Sequence, residues 1–418
     1  MLRSTLYHCS VIVTLFLVCS CSKSSNEQIE IESTSEQAPI TGDPVEKNAP
    51  NSNYHPAFEG QSRIGSMQTT TPISAEVISQ SLSNPWGIAP LPDGRLLITQ
   101  KTGNMRIAST DGTLSNPITG IPSVNSIGQG GLLGLCVDPN FSSNRMIYWV
   151  FSENVSGGTV TSVAKGKLAN NEATIENVSV IFRANPSFNG SAHYGGRILF
   201  DKTGHLIIST GERSDLSTRP LAQSVTGALG KILRITTNGS PAPGNPNFQE
   251  SGAIAELYSI GHRNPQGIAI HPINGDLWQS EHGPLGGDEV NRVEAGKNYG
   301  WPIISYGLEY NGQAIGNGIT QKEGLEQPVY YWDPAISPSG ITFYAGNRIP
   351  EWENNLFLGA LSGQHIVRLV IDANHRVIGE ERLLESENQR FRDIAQGLDK
   401  ALYAITDSGR LYRIDKVE

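Results

Sequence analysis

The stretch GSAHYGGRILF places His193 just before two glycines and an apolar strand, and ISTGERSD places Glu212 just past the end of the following strand. An imidazole at a strand entrance, oriented by a carboxylate, has the chemistry of a general base, because its unperturbed pKa lies near neutrality. A histidine that only makes loop hydrogen bonds is the competing reading. In SIGHRNPQGIAIHP, His262, Arg263 and Asn264 precede Pro265, which lacks an N–H and biases Asn264 away from helix. The trio therefore sits in a loop feeding a strand at Gly267–Ile270, either solvated or turned toward a ligand. His262 and His282 are assigned mainly to loop packing.

Arg390 and Arg392 in NQRFRDIA are two apart, so on a strand they face the same side. Two guanidiniums on one face require an anion between them, and their fork geometry suits carboxylates. A local acid such as Asp393 or Glu387 would also serve. The run EHGPLGGDE, 281 to 289, exposes backbone carbonyls, which with carboxylates are ligands for a hard cation such as Ca²⁺. Its spacing is not that of an EF-hand loop, and an ordinary surface turn has the same composition. Asp288 and Glu289 are not singled out as the acid pair of a glycan hydrolase. No nucleotide-binding glycine motif, zinc cluster or nucleophile elbow is present.

The elements that must position these residues recur along the chain. A short apolar alternation, a turn and a second apolar strand begin near Trp86, Gly131, Gly195, Gln266, Ser339 and Arg392. The spacing is irregular, roughly 45 to 75 residues, so the copies share a core hairpin and differ in their loops. With 45 Gly, 24 Pro and 17% charged residues, the composition favours short strands and turns. Blades of four strands need about 40 to 50 residues each, so six fit after residue 67. The expected fold is all-β, a six-bladed β-propeller over 68–418. In such a fold, strand entrances distant in sequence meet at one mouth of a central channel, which gathers Gln129, His193, Arg263, Asn264, the 281–289 run, Trp332, Arg390 and Arg392.

The N-terminus reads as a signal: Arg3, an apolar run from Val11 to Val18, then VCSC. The run is too short for a comfortable membrane span. It resembles a bacterial lipoprotein box with Cys21 as the acylated residue, which makes 1–21 a signal region and places the protein lipid-anchored in the bacterial cell envelope, on the periplasmic side of the outer membrane. Cys136 is then left alone, a small buried hydrophobe in an apolar run. Residues 22–67 are rich in Ser, Glu, Gln, Asn, Thr and Pro, and are expected to be a disordered tether. A net charge of −9 offers no basic field for nucleic acid or for an anionic membrane surface. The membrane is met only through the anchor.

The segments GQGGLLGLCVDPNF, AHYGGRILFD, GHRNPQGIAIHP, EHGPLGGDEVNRVEAGKNYGWP, YYWDPAISPSGITFY and FRDIAQGLDKALYAITD together resemble the glucose/sorbosone dehydrogenase family, the soluble aldose sugar dehydrogenases that use pyrroloquinoline quinone (PQQ). The resemblance spans about residues 80 to 415. It implies a six-bladed propeller that oxidises aldose sugars at C1 to lactones and passes electrons to an acceptor it does not name. By position, it implies His193 as the base with Glu212 supporting it, and Arg263 and Asn264 at the quinone end of PQQ. It further implies Gln129 and Trp332 flanking the pocket, Arg390 and Arg392 on the PQQ carboxylates, and the carbonyls of Gly283 and Pro284 on Ca²⁺. Two departures stand out. The supporting acid is commonly Asp in the family and is Glu212 here, and Ser362 stands where a Lys or Arg is usual. A cofactor-less propeller that binds carbohydrate or protein is the alternative that Ser362 favours.

Overall fold

The structure is a computed structural model, and it describes residues 42–418. The signal, Cys21 and residues 22–41 of the expected tether lie outside the described residues. Six sheets form a ring, five with four strands and one with three. The six hairpins read from the sequence are the two inner strands of the six blades: Pro85–Pro90 with Leu96–Gln100, Leu132–Val137 with Met146–Val155, and Ile198–Phe200 with Leu206–Thr210. Pro265–Ile270 with Leu277–Glu281, Pro338–Phe343 with Leu356–Ala360, and Phe391–Gln396 with Leu402–Thr406 complete the set. We number the blades 1 to 6 in that order. Ile73–Ser79 pairs antiparallel with Leu411–Lys416, so the start of the propeller completes its last blade and closes the ring. Blade 1 has three strands, and the bridges of Met105 to Ile118 and Ala108 to Leu114 extend its outer edge.

Each blade packs both faces against neighbours, which explains why the second strands carry no polar-out alternation. Leu96–Gln100, Leu206–Thr210, Leu356–Ala360 and Leu402–Thr406 are buried at every position. The core accordingly lies between blades. One apolar cluster joins Leu133, Tyr148 and Val163 of blade 2 to Ile198, Leu206 and Leu233 of blade 3, and another joins Trp278 and Val290 of blade 4 to Ile341 and Leu358 of blade 5. Cys136 packs at the edge of the first of these. Among the described residues no helix is long and apolar enough to cross a membrane.

The expectation of a disordered tether does not hold for residues 42–67. Ser52, Gln61 and Met67 are buried, and Met67 N–H donates to the Glu380 carbonyl at 2.9 Å on the outer strand of blade 5. Composition misled because this segment stays ordered through hydrogen bonds to the propeller, with few apolar contacts of its own.

Candidate functional site

Antiparallel pairing brings the loop before each inner strand and the loop after each second strand to one mouth of the channel. His193 lies there in the left-handed conformation, φ 47°, uncommon for a residue with a Cβ and found where surroundings over-determine it. Its N–H donates to Gln129 Oε1 at 2.8 Å, and its Nδ1 meets Glu212 Oε1 at 2.6 Å. Glu212 Oε2 accepts the Ser214 N–H at 3.1 Å, which fixes the carboxylate plane. Nδ1 is thus committed to Glu212, and Nε2 has no protein partner among the described residues.

Burial holds the His193 imidazole well below its usual pKa, helped by the guanidiniums of Arg263, Arg213 and Arg219. Burial likewise raises Glu212 to about 7, against the pull of Arg263 and Arg219. Both shifts have one dominant cause, dehydration, and at this separation the two groups titrate as a unit.

Arg263 and Asn264 are both buried. Arg263 Nη1 donates to the carbonyls of His282 at 3.1 Å and Gly283 at 2.6 Å, and the guanidinium lies 5.2 Å from the centre of the Trp301 ring. Asn264 Oδ1 accepts the Gly195 N–H at 3.0 Å. Arg263 Nε, Asn264 Nδ2 and His282 Nε2 are buried with no partner among the described residues. Buried nitrogens without partners are rare and expensive, so three around one loop mark a place that a ligand or water completes. Next to them lies a cavity of about 280 Å³ lined by Trp86, Lys101, Gln129, Gln266, His282, Arg390, Arg392 and Asp407.

The structure brings together Gln129, His193, Glu212, Arg263, Asn264, Gly283, Pro284, Arg390 and Arg392 at this mouth. It does not place Trp332 there. Trp332 lies on the outermost strand of blade 4, inside the core between blades 4 and 5, with its indole N–H 3.3 Å from Glu380 Oε1. The aromatic residues at the site include Trp86, Trp301 and Tyr299. The acid between the two arginines is also neither Asp393 nor Glu387. Asp407 accepts Arg390 Nε at 2.9 Å and Arg392 Nε at 2.8 Å, and Asp393 instead pairs with buried Arg197. Lys101, the two arginines and Asp407 leave an excess of positive charge in the cavity.

His282, assigned from sequence to loop packing, lines the cavity, whereas His262 is a buttress. His262 is stacked on Tyr299 and bonded through its two ring nitrogens to Ser259 and Glu281. Lys101 and Asp407 went unnoticed in the sequence. The signal for them is positional: each directly follows the second strand of its repeat, as Glu212 nearly does, and that loop faces the same mouth.

A second, smaller cavity of about 10 Å³ is bounded by Gly283, Pro284, Glu281, Glu289, Tyr299 and Ser305 among others. Glu281 and Glu289 are cross-strand partners. Burial, with the charge of Glu281 added, raises Glu289 well above the carboxylate range. Burial also acts on Glu281, but His262 and the N–H groups of Arg263 and Gln279 outweigh it and hold this carboxylate low. Beside them, Gln279 Oε1 and Asn291 Oδ1 are buried oxygens without partners among the described residues. Among the described residues no group of three or more His, Cys, Asp or Glu side chains is arranged as a metal site.

Fold and site together define a class: a six-bladed propeller whose channel mouth presents an oriented imidazole beside an anion-receptive cavity. The family model for glucose/sorbosone dehydrogenase matches residues 82–413, and the chain belongs to that family. It is 38% identical over 347 residues to an aldose sugar dehydrogenase of Escherichia coli, covering 82% of this chain and 92% of that one. The apo crystal structure of the soluble aldose sugar dehydrogenase from Escherichia coli superposes with a TM-score of 0.78 at 38% identity, covering 82% of this chain and all of that one. The PQQ-bound aldose sugar dehydrogenase of Streptomyces coelicolor matches with a TM-score of 0.68 at 28% identity, over 83% of this chain and 99% of that one.

Proposed function

We propose that the protein is a PQQ-dependent aldose sugar dehydrogenase that oxidises the C1 hydroxyl of an aldose to the lactone. The observation that carries this is the convergence of the His193–Glu212 pair with three buried, unpartnered nitrogens at the edge of a cationic cavity. PQQ is a planar tricarboxylate. Arg392, Arg390 and Lys101 suit its carboxylates, and Arg263 and Asn264 supply free donors for its quinone oxygens. Lys101 also offers a cation in the cavity where Ser362, bonded to Ser337 at 2.8 Å, offers none.

When bound, PQQ supplies a two-electron acceptor for the hydride that leaves C1. The chain's own part is to hold and move the proton. His193 Nε2 takes the proton of the C1 hydroxyl, while Glu212 fixes the tautomer through Nδ1 and stabilises the imidazolium that forms. Losing one proton and one hydride from C1 and its oxygen gives the lactone. Glu212, longer than aspartate by one methylene, still reaches Nδ1 at 2.6 Å, so this departure leaves the pair intact.

Ca²⁺ at the carbonyls of Gly283 and Pro284 belongs to the same proposal. Its support is the small cavity that these residues share with the carboxylates of Glu281 and Glu289, which is the size of one bound ion or water and is also bordered by Arg263. Gly283 O already accepts from Arg263, which leaves its second lone pair for a cation. The electron acceptor is an external partner, and the envelope location rests on the proposed acylation of Cys21.

The test is dye reduction by residues 42–418 with a panel of aldoses, adding PQQ and Ca²⁺ together and separately. Sugar-dependent reduction that needs PQQ is the expected outcome, and a further requirement for Ca²⁺ would support the cation site. No reduction together with no PQQ binding in an absorbance titration would overturn the proposal and favour the cofactor-less binding module.

A further inference from the structure

Residues 42–67 precede the part of the chain matched by the family model, yet they are tied to the loops that build the site. The knot is Asp333. Its Oδ1 accepts the Asn51 N–H at 2.9 Å and Asn51 Nδ2 at 2.8 Å, and its Oδ2 accepts the Ser52 N–H at 3.0 Å and Ser52 Oγ at 2.9 Å. Arg63 Nη2 donates to the Asp333 carbonyl at 2.6 Å. Five donors from one short segment converge on one residue, and the carboxylate accepts four of them.

Asp333 in turn touches the loop that carries Gly283 and Pro284. Gly286 has φ 80°, and a Cβ there would lie 2.5 Å from Asp333 Oδ1, so the loop and the carboxylate are in close contact. Gly287 N–H donates to the Trp332 carbonyl at 2.8 Å, next to Asp333. The same loop is bridged to the 304–308 segment, with Leu285 and Leu308 exchanging hydrogen bonds of 2.9 and 3.0 Å. The N-terminal segment grips that side too. Tyr306 Oη donates to Gln61 Oε1 at 3.1 Å, Gln61 Nε2 donates to the Pro328 carbonyl at 2.9 Å, and the Tyr331 N–H donates to the Gln61 carbonyl at 2.9 Å. Phe58 lies under the Arg376 guanidinium at 3.6 Å, and Glu46 pairs with Arg382 at 2.9 Å, which fastens the segment to blade 5.

We infer that residues 42–67 are a strap whose Asn51 and Ser52 are positioning residues, acting through Asp333 to hold the loop of Gly283 and Pro284 in its cation- and cofactor-facing shape. The geometry is directional. Blade 5 anchors the strap at Glu46, Phe58 and Met67, Asp333 and Tyr306 receive it on the side of the two loops, and no strap residue lines either cavity. A loop built around Gly283, Gly286 and Gly287 has few side chains of its own to pack, so its order is supplied by what it leans on. The ligand part of this inference rests on the function proposed above; the ordering part does not.

The test uses residues 42–418 as wild type, N51A/S52A, D333N, the combination of all three, and S52T. Hydrogen–deuterium exchange on the ligand-free protein reads the ordering. In N51A/S52A the amides of Leu285, Gly287 and Leu308 are expected to exchange about tenfold faster, while those of blade 3 keep their rates. D333N is expected to do the same and to add little on top of N51A/S52A, because both break one link. S52T, which keeps the hydroxyl, should restore wild-type exchange. In the loaded enzyme, the Ca²⁺ concentration for half-maximal activity should rise about tenfold with kcat at saturation within about twofold. Unchanged exchange at 285–308 in N51A/S52A, or faster exchange everywhere, would overturn the strap as a positioning device. If exchange changes as expected but the wild type neither binds PQQ nor oxidises sugar, the strap stands and the function proposal falls.

Discussion

Replacing Glu212 by Gln tests the core of the proposed chemistry. The amide keeps the shape and can still accept from Nδ1, but it removes the charge that faces the imidazolium. At an effective dielectric of about 20, two charges about 4 Å apart interact by about 4 kcal/mol. The proton is only partly transferred in the transition state, so about 3 kcal/mol of this is felt, roughly two powers of ten in kcat. The pH profile adds a second readout. Between the ordinary carboxylate and imidazole pKa values, the unfolded chain carries one proton on His193, whereas the folded pair carries it chiefly on Glu212, whose pKa is raised to about 7. The pair therefore holds one proton in both states, and stability is nearly flat with pH there; only just above the imidazole value, where the folded pair keeps a proton the unfolded chain has lost, does stability fall slightly as pH rises toward 7. Full base strength returns once that proton leaves, so kcat/KM should rise with pH through about 7. In Glu212→Gln only His193 titrates, and burial with three guanidiniums holds it low, so the limb should move below the ordinary imidazole value. Stopped-flow dye reduction with saturating PQQ, across pH 5 to 9 for both proteins, gives both quantities. A plateau within threefold of wild type and a limb still near 7 would refute the role of the pair.

Other outcomes follow from the same geometry. Arg392→Ala should weaken PQQ binding about tenfold or more, and Arg390→Ala less, since the Arg390 side chain is 46% exposed and that of Arg392 14%; absorbance titration checks it, and equal affinities in both variants would count against the anion clamp. Gly340→Ala puts a Cβ onto Asp393 Oδ1 beside its buried partner Arg197, so stability should fall by about 3 to 5 kcal/mol in urea unfolding, and an unchanged midpoint would show that the hub can shift. Cys21→Ala should release the full-length protein from the membrane fraction after cell fractionation, and retention would exclude acylation there as the sole anchor.

The fold was legible in the sequence because its unit is local. Each hairpin, such as QGIAIHPINGDLWQSE, carries its own turn and apolar strands, and six copies imply a ring regardless of loop length. His193, Glu212, Arg263 and Asn264 were legible for a related reason: each flanks a repeat strand at the same end. Trp332 was misplaced because YYWDP reads as a loop entering blade 5, while Tyr330–Trp332 is in fact the outer strand of blade 4. Asp407 was overlooked as the partner of Arg390 and Arg392 because nearby acids in the chain, Asp393 and Glu387, looked adequate; across an antiparallel hairpin, a residue past the second strand lies closer than a chain neighbour on the opposite face of the strand. The strap was read as a tether because hydrogen bonds to a distant Asp333 leave no periodic signature.

Asp393 shows how the channel is closed beneath the site. It pairs with Arg197, whose Nε donates to the Gln266 carbonyl at 2.5 Å and Nη2 to the Arg392 carbonyl at 2.9 Å, while Trp86 covers the guanidinium at 4.2 Å. Inner strands of four blades thus meet on one buried guanidinium. Two of the residues it grips by the backbone, Gln266 and Arg392, present their side chains to the cavity, where Arg392 Nη1 donates to Gln266 Oε1 at 3.1 Å. A central plug of apolar side chains could fill this channel equally well, but it could not fix backbone carbonyls on facing blades. The buried ion pair costs desolvation, and what it returns is register among the strands whose first residues carry the site.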